Sequence, residues 1–401
     1  MSVSPLAAMP MAPRDPILGV TEAFMADTNP NKVNLGVGVY CDDNGKVPVL
    51  ESVRHAEIKL AEKPLARNYL PIDGLAVYDK AVQHLLFGAE SDAVKQGRIV
   101  TVQTLGGTGG LKVGADFLRR INPQGQVWIS DPTWENHRAL FEYAGYTVNT
   151  YPYYDPVTHG VNFDAMMASL DKLPAGATVV LHACCHNPTG ADLALAQWSK
   201  VVEVVNSRGL VPFLDLAYQG FSESLEADGA AVHLFTRACP VVLVASSFSK
   251  SLSLYGERVG ALSVVTENAE EAARTLSQLK RVIRTNYSNP PTHGGQTVAA
   301  VLTTPELRAL WETELGQMRE RIKLMRRELV DKIRAIRADF DFSYVIEQRG
   351  MFSYSGLTKE QVHRLRDEHS IYALDSGRIC VAALNTRNID YVAKAVANVL
   401  V

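Results

Sequence analysis

Lys250 stands among five serines in SSFSKSLSLYGER (246–258), just past the apolar run VVLVA (241–245). A solvated loop is the usual place for a lysine. Small flanking residues argue otherwise, because they leave room for a bulky ligand and supply hydroxyls for an anion. Beside cations such as Arg258, the charged form of Lys250 is disfavoured, and the free amine is then a nucleophile able to form a Schiff base. Asp215 ends another apolar run, LVPFLDL (210–216). It reads either as a helix N-cap or as a buried carboxylate paired with a cationic ring nitrogen, which makes a heteroaromatic cofactor a better electron sink. His137 and Tyr218 are its candidate neighbours.

GGTGG (106–110) offers a glycine-rich turn between strand and helix. Backbone N–H groups and a helix N-terminus there suit a phosphate, although the spacing fits neither nucleotide-loop motif, and a plain tight turn is the competing reading. Arg284 in VIRTNYSNPP (282–291) and Arg378 in SGRIC (376–380) adjoin apolar residues. An arginine at a strand start can grip a carboxylate with both arms of its fork. HACCH (182–186) would set His182, Cys184 and His186 on one strand face, a row that rarely closes a tetrahedral metal shell, so a packed strand end is expected there.

The elements that must hold these residues are legible between about 95 and 265. RIVTVQT (98–104), QVWIS (126–130), TVVLHAC (178–184), LVPFLDL, VVLVASS (241–247) and ALSVV (261–265) are β-branched and almost continuously apolar, as strands buried on both faces are. Their spacing predicts an α/β fold with a mainly parallel sheet flanked by helices. GGTGG, DPTWENH (131–137), HNPTG (186–190), DLAYQG (215–220) and SFSKS (247–251) each follow a run. Five polar clusters at five strand ends converge on the ligand crevice of such a sheet. Residues 304–336 carry an apolar stripe from Leu307 to Ile336 at steps of three and four, with Thr304 as N-cap and Pro305 in the first turn. This long helix joins the large domain to a smaller α/β domain.

Length and composition bound the rest. A chain of 401 residues with net charge −3 has no electrostatic bias towards nucleic acid or an anionic membrane. Five cysteines without a CxxC pair fit a reducing cytoplasm. No apolar run reaches the length of a membrane span. Residues 1–13 read as an extended arm that is either disordered or docked on something else, such as a second subunit.

Taken together these motifs resemble the class I, fold type I pyridoxal-phosphate aminotransferases, in the aspartate and aromatic amino-acid branch. The resemblance runs from NLGVGVY (34–40) through NYLPIDG (68–74) and the clusters above to QRGMFSYSG (348–356) and GRICVA (377–382). It implies Lys250 as the Schiff-base lysine, Asp215 on the pyridine nitrogen with His137 behind it, and Asn187 and Tyr218 on the ring hydroxyl. Trp134 would stack on the ring. Gly107, Thr108, Ser247 and Arg258 would bind the phosphate, with Tyr69 from a neighbouring subunit of a homodimer. Arg378 would take the substrate α-carboxylate, Arg284 from across the interface a side-chain carboxylate, and Gly38 and Phe352 would close over the substrate. The implied domains are an arm (1–13), a small domain (14–46 and 317–401) and a large cofactor-binding domain (47–316).

The implied reaction is ping-pong transfer of an amino group from aromatic amino acids and aspartate to 2-oxoglutarate. Arg284, Asn68, Thr108 and Asn289 resemble the aspartate-preferring form. The surrounding motifs look closer to the aromatic-accepting one, and Cys41 and Val47 are expected near the pocket mouth. A strict aspartate aminotransferase is the alternative. A C–S lyase of the same fold fits less well because Arg284 and NYSNPP are present, and a transcription-regulator module lacks room for a DNA-binding domain before residue 14.

Overall fold

The computed structural model describes residues 4, 6–12, 16–63, 66 and 68–400. Its main sheet has seven strands: β1 (Ile99–Leu105), β2 (Val127–Asp131), β3 (Val148–Pro152), β4 (Thr178–His182), β5 (Val211–Leu216), β6 (Val242–Ser247) and β7 (Val259–Val265). Their order is β1-β7-β6-β5-β4-β2-β3. Only β7 runs against its neighbours; the pairs from β6 to β3 are parallel. The fold is therefore the expected α/β one. The strand β3 was not anticipated, because VNTYP mixes polar with apolar residues.

Alternation along the strands divides them between two cores. Val180, Phe213, Leu243 and Leu262 face one cluster, which also takes up Leu111, Phe117, Leu279 and Ile283 from the helices α1 (Gly106–Ile121) and α2 (Ala269–Asn286). Leu181, Leu214, Val244 and Ala261 face the other, shared with the helix α3 (Pro305–Ile336). This double burial is why the strands read as continuous apolar runs.

α3 has 32 residues, about 48 Å at 1.5 Å per residue. Its stripe is buried from Leu307 to Ile333, but Ile336 lies beyond it at 50 % exposure. Pro305 opens the helix as expected, whereas Thr304 makes no side-chain cap bond. Trp311 ties the helix to the functional loop, donating from Nε1 to the Ser251 carbonyl at 2.6 Å. Near the chain's ends, Val33–Asn34 pairs with Ile371–Tyr372, and Phe352–Tyr354 pairs with Arg378–Cys380. Of the expected arm, residues 4 and 6–12 are exposed; 1–3, 5 and 13 lie outside the described residues. No helix among the described residues is long and apolar enough to cross a membrane.

Gly260 shows how tightly the sheet closes beside the functional edge. A Cβ there would stand 2.5 Å from the Gly106 carbonyl carbon and 2.6 Å from the Ser246 carbonyl oxygen. Neither backbone atom can rotate away. Gly260→Ala is expected to cost about 1–3 kcal/mol of stability, the range for overpacking a tight core. An unchanged urea midpoint would show that β7 slides freely.

Candidate active site

A cavity of about 240 Å³ opens where the strands of the main sheet meet their loops. Thr108 follows β1, Trp134 follows β2, His182 ends β4, Asp215 lies near the end of β5, and Ser247 ends β6. Because β7 is reversed, Arg258 enters the same edge from the start of its strand. Gly38, Asn187, Tyr218, Lys250, Phe352 and Arg378 complete the expected lining.

Asp215 is 5 % exposed, and its Oδ2 lies 3.0 Å from Nε2 of fully buried His137. The other ring nitrogen, Nδ1, lies 2.8 Å from Thr133 Oγ1. Burial alone would raise the Asp215 pKa. Contact with His137, together with nearby His182 and Lys250, outweighs burial and holds the carboxyl below its usual range. The N-cap reading is thereby set aside, since the side chain is spent on His137.

Lys250 faces the cavity with its ammonium 4.9 Å from the centre of the Tyr218 ring. Burial pushes its pKa down to about 8; Asp215 opposes the shift and Arg258 adds to it. The amine is thus available near neutral pH, where an exposed lysine remains protonated.

Gly106 and Gly107 do not form a separate turn. They open α1, whose unpaired first-turn N–H groups carry partial positive charge. A Cβ on Gly106 would meet Arg258 Nη2 at 2.6 Å, and one on Gly107 would meet Ser247 Cβ at 3.2 Å. The glycines keep that notch open. Arg258 donates from Nη1 to Ser249 Oγ at 3.3 Å and to the Tyr255 carbonyl at 3.0 Å, while Ser249 N donates to Ser247 Oγ at 3.2 Å. Ser249 and Tyr255, to which sequence reasoning gave no part, both line the cavity. Only the serine run hinted at the first; nothing pointed to the second.

Arg378 starts a strand, as expected, and is buried. It donates from Nη1 to Asn187 Oδ1 at 3.3 Å and from Nη2 to the Gly36 carbonyl at 2.7 Å, and Nε has no partner among the described residues. Phe352 lies over it, ring centre to guanidinium carbon 4.3 Å. A Cβ on Gly38 would stand 2.7 Å from the tip of that ring.

Other expectations need correction. Arg284 is in the last turn of α2, not at a strand start, and hydrogen-bonds Ser288. It lines a separate open cavity of about 820 Å³ with Tyr69, which is 93 % exposed. Cys41 lines yet another cavity, with Asn34 and Arg387, and Val47 is exposed outside the central one. β4 stops at His182, so Cys184 and His186 leave the strand face. His182 groups with His137 and Asp215, and Cys184 groups with Cys185 and Asp228.

In cofactor-free protein, acetylation of Lys250 followed by mass spectrometry should reach half its maximal rate near pH 8, since the neutral amine accumulates above its pKa. Asp215→Asn should move that midpoint lower, because the carboxylate is what favours the cation. A midpoint above pH 10 would mean that Lys250 is an ordinary solvated lysine.

Residues 30–396 match the family model for aminotransferase class I and II. An aspartate aminotransferase of Pseudomonas aeruginosa is 59% identical, over 99% of this chain and 100% of its own. The aromatic-amino-acid aminotransferase of Escherichia coli is 52% identical over 96% and 98%. Among solved structures, an aromatic-amino-acid aminotransferase from Burkholderia pseudomallei, covalently bound to pyridoxal phosphate, superposes with a TM-score of 0.98 at 64% identity, covering all of both chains. A buried carboxylate, a low-pKa lysine and a glycine-opened helix start at one sheet edge thus occur in a chain that belongs to the class I and II aminotransferases.

Proposed function

We propose that this protein is a pyridoxal-phosphate transaminase that moves the amino group of aspartate and of aromatic amino acids to 2-oxoglutarate. The observation that carries this reading is one cavity lined by Lys250, Asp215 and the Arg378 fork, with His137 bonded to Asp215 from behind. The residues present fit the cofactor. Among the described residues the sole carboxylate lining the cavity is Asp215, and the notch between Gly107, Ser247 and Arg258 offers backbone N–H, hydroxyl and guanidinium donors. Among the described residues, buried His182 Nε2 and Arg378 Nε have no protein partner, and buried polar groups of that kind call for a bound molecule or water.

Pyridoxal phosphate, when bound, supplies an electron sink for charge developing at the substrate Cα. Asp215, kept ionised by His137, would hold the proton on the pyridine nitrogen. Asn187 and Tyr218 would hydrogen-bond the ring hydroxyl, and Trp134 would pack on the ring. Gly107, Thr108, Ser247 and Arg258 would bind the phosphate. Lys250 Nζ would take the proton from the substrate Cα, as a general base whose pKa of about 8 lies close to neutral pH. Arg378 would grip the α-carboxylate with its guanidinium, and Gly38 and Phe352 would shut out water.

We place Tyr69 and Arg284 in the partner's site of a homodimer. Their shared open cavity, outside the central one, supports this. Pairing of Val33–Asn34 with Ile371–Tyr372 supports grouping 14–46 with 317–401 as a small domain beside a large one at 47–316. Five unpaired cysteines fit a cytoplasmic location.

Mixing the pyridoxal form with aspartate or with phenylalanine should bleach the cofactor absorbance in both cases. Arg284→Leu should lower kcat/KM for aspartate by about 30- to 3000-fold, as when one partner of a buried charge pair is lost, and leave phenylalanine nearly unchanged. Phenylalanine turnover below about one thousandth of aspartate turnover, a gap of ~4 kcal/mol, would leave a strict aspartate enzyme. Sedimentation should give twice the chain mass; a monomer with full activity would refute the shared site.

A further inference from the structure

Among the described residues two arginines are buried, Arg378 and Arg326, and only the first lines the central cavity. Arg326 lies within α3 at 2 % exposure. Burial pushes its pKa down to about 10, so it stays charged at neutral pH. Keeping a guanidinium in the interior is costly unless each arm is satisfied, and an apolar residue would often pack as well. What Arg326 grips is therefore informative. Nη1 donates to the Val345 carbonyl at 2.9 Å and to Ser353 Oγ at 2.6 Å. Nη2 donates to the carbonyls of Gly350 at 2.8 Å and Phe352 at 2.6 Å. All four acceptors are neutral, and all lie within one short reversal of chain.

That reversal sets the position of Phe352. Its carbonyl is held by Arg326, while its ring covers the guanidinium of Arg378 at 4.3 Å and meets the Tyr218 ring edge-on at 6.0 Å. The same backbone presses on the turn after Asn187, since a Cβ on Gly190 would stand 2.7 Å from the Phe352 carbonyl oxygen. Ser353 passes the order on by donating to Gln348 Oε1 at 2.5 Å.

We propose that Arg326 is a positioning residue for substrate binding: by fixing the backbone of Phe352 it holds the aromatic cover over Arg378 and so sets affinity for the substrate carboxylate. This rests on the reading of Arg378 as the carboxylate fork. A residue that merely fills the core would affect stability and leave the affinity of the folded, cofactor-loaded enzyme alone.

The test uses holoenzyme with Arg326→Lys, with Ser353→Ala, and with each combined with Phe352→Ala. Cofactor content is read by absorbance and affinity for 3-phenylpropionate and succinate by calorimetry. Arg326→Lys should keep its cofactor and weaken both carboxylates about three- to thirtyfold, the range for coupling through packed neighbours. KM should rise more than kcat falls. Ser353→Ala, which removes one acceptor and keeps the guanidinium, should show a smaller loss in the same direction and covers the case in which the lysine variant does not fold. In the Phe352→Ala background neither change should add to the loss. Parental affinity in a loaded variant, or losses that multiply in the double variants, overturns the proposal. An Arg378→Gln enzyme that binds both carboxylates like the parent overturns the reading of Arg378 and this proposal with it. A loss at Arg378→Gln without one at Arg326→Lys overturns this proposal alone.

Discussion

A carboxylate that must stay ionised away from water constrains everything around it. Asp215 is nearly sealed, and burial by itself favours its neutral form. The imidazole of His137 reverses that preference, and Thr133 in turn engages the far side of the ring. His137 comes from the segment after β2 and Asp215 from β5, separated in the sheet by β4. The pair therefore exists only if three strands lie in one order with their ends level. Sheet topology is in this sense an electrostatic device.

The lysine obeys the opposite rule. Lys250 is placed where its charge is discouraged, yet not so far from Asp215 that the charge is lost outright, and its pKa settles close to neutrality. One cavity thus holds an acid kept ionised and a base kept partly neutral. Environments that drive two titratable groups in different directions mark sites of proton transfer. The buried arginines add a third rule: both are held largely by carbonyl oxygens, which orient a guanidinium without bringing a counter-ion to it.

Much of this was legible in the sequence. Strands buried on both faces announce themselves by unbroken apolar runs, and polar clusters just after them mark the carboxyl edge. Lys250, Asp215 and Arg378 stood out because charges next to such runs need a reason. The direction of β7 was hidden, because a buried strand reads alike both ways. β3 was hidden by the polar residues of VNTYP. Arg284 was misplaced because apolar neighbours occur in helices as well as at strand starts. Arg326 looked like one more basic residue in MRRELV, where only three-dimensional packing separates a buried position from an exposed one. The partnerships of Ser249 and Tyr255 with Arg258 depend on a loop that folds back on itself, which no periodicity records.

The reversal of β7 bears on how the chain tolerates change. Parallel strands are joined by long crossovers that can absorb extra residues on the far side of the sheet. β6 and β7 are instead joined at the functional edge, and that single connection, residues 248–258, carries both Lys250 and Arg258. Its length is fixed from both ends, and Trp311 pins it midway through the Ser251 carbonyl. Inserted or deleted residues there would shift base and anion clamp together, whereas the short turn between β7 and α2 on the opposite edge carries none of the residues lining the cavity. Variation in length among natural or engineered forms of this enzyme should accordingly gather on the far edge of the sheet.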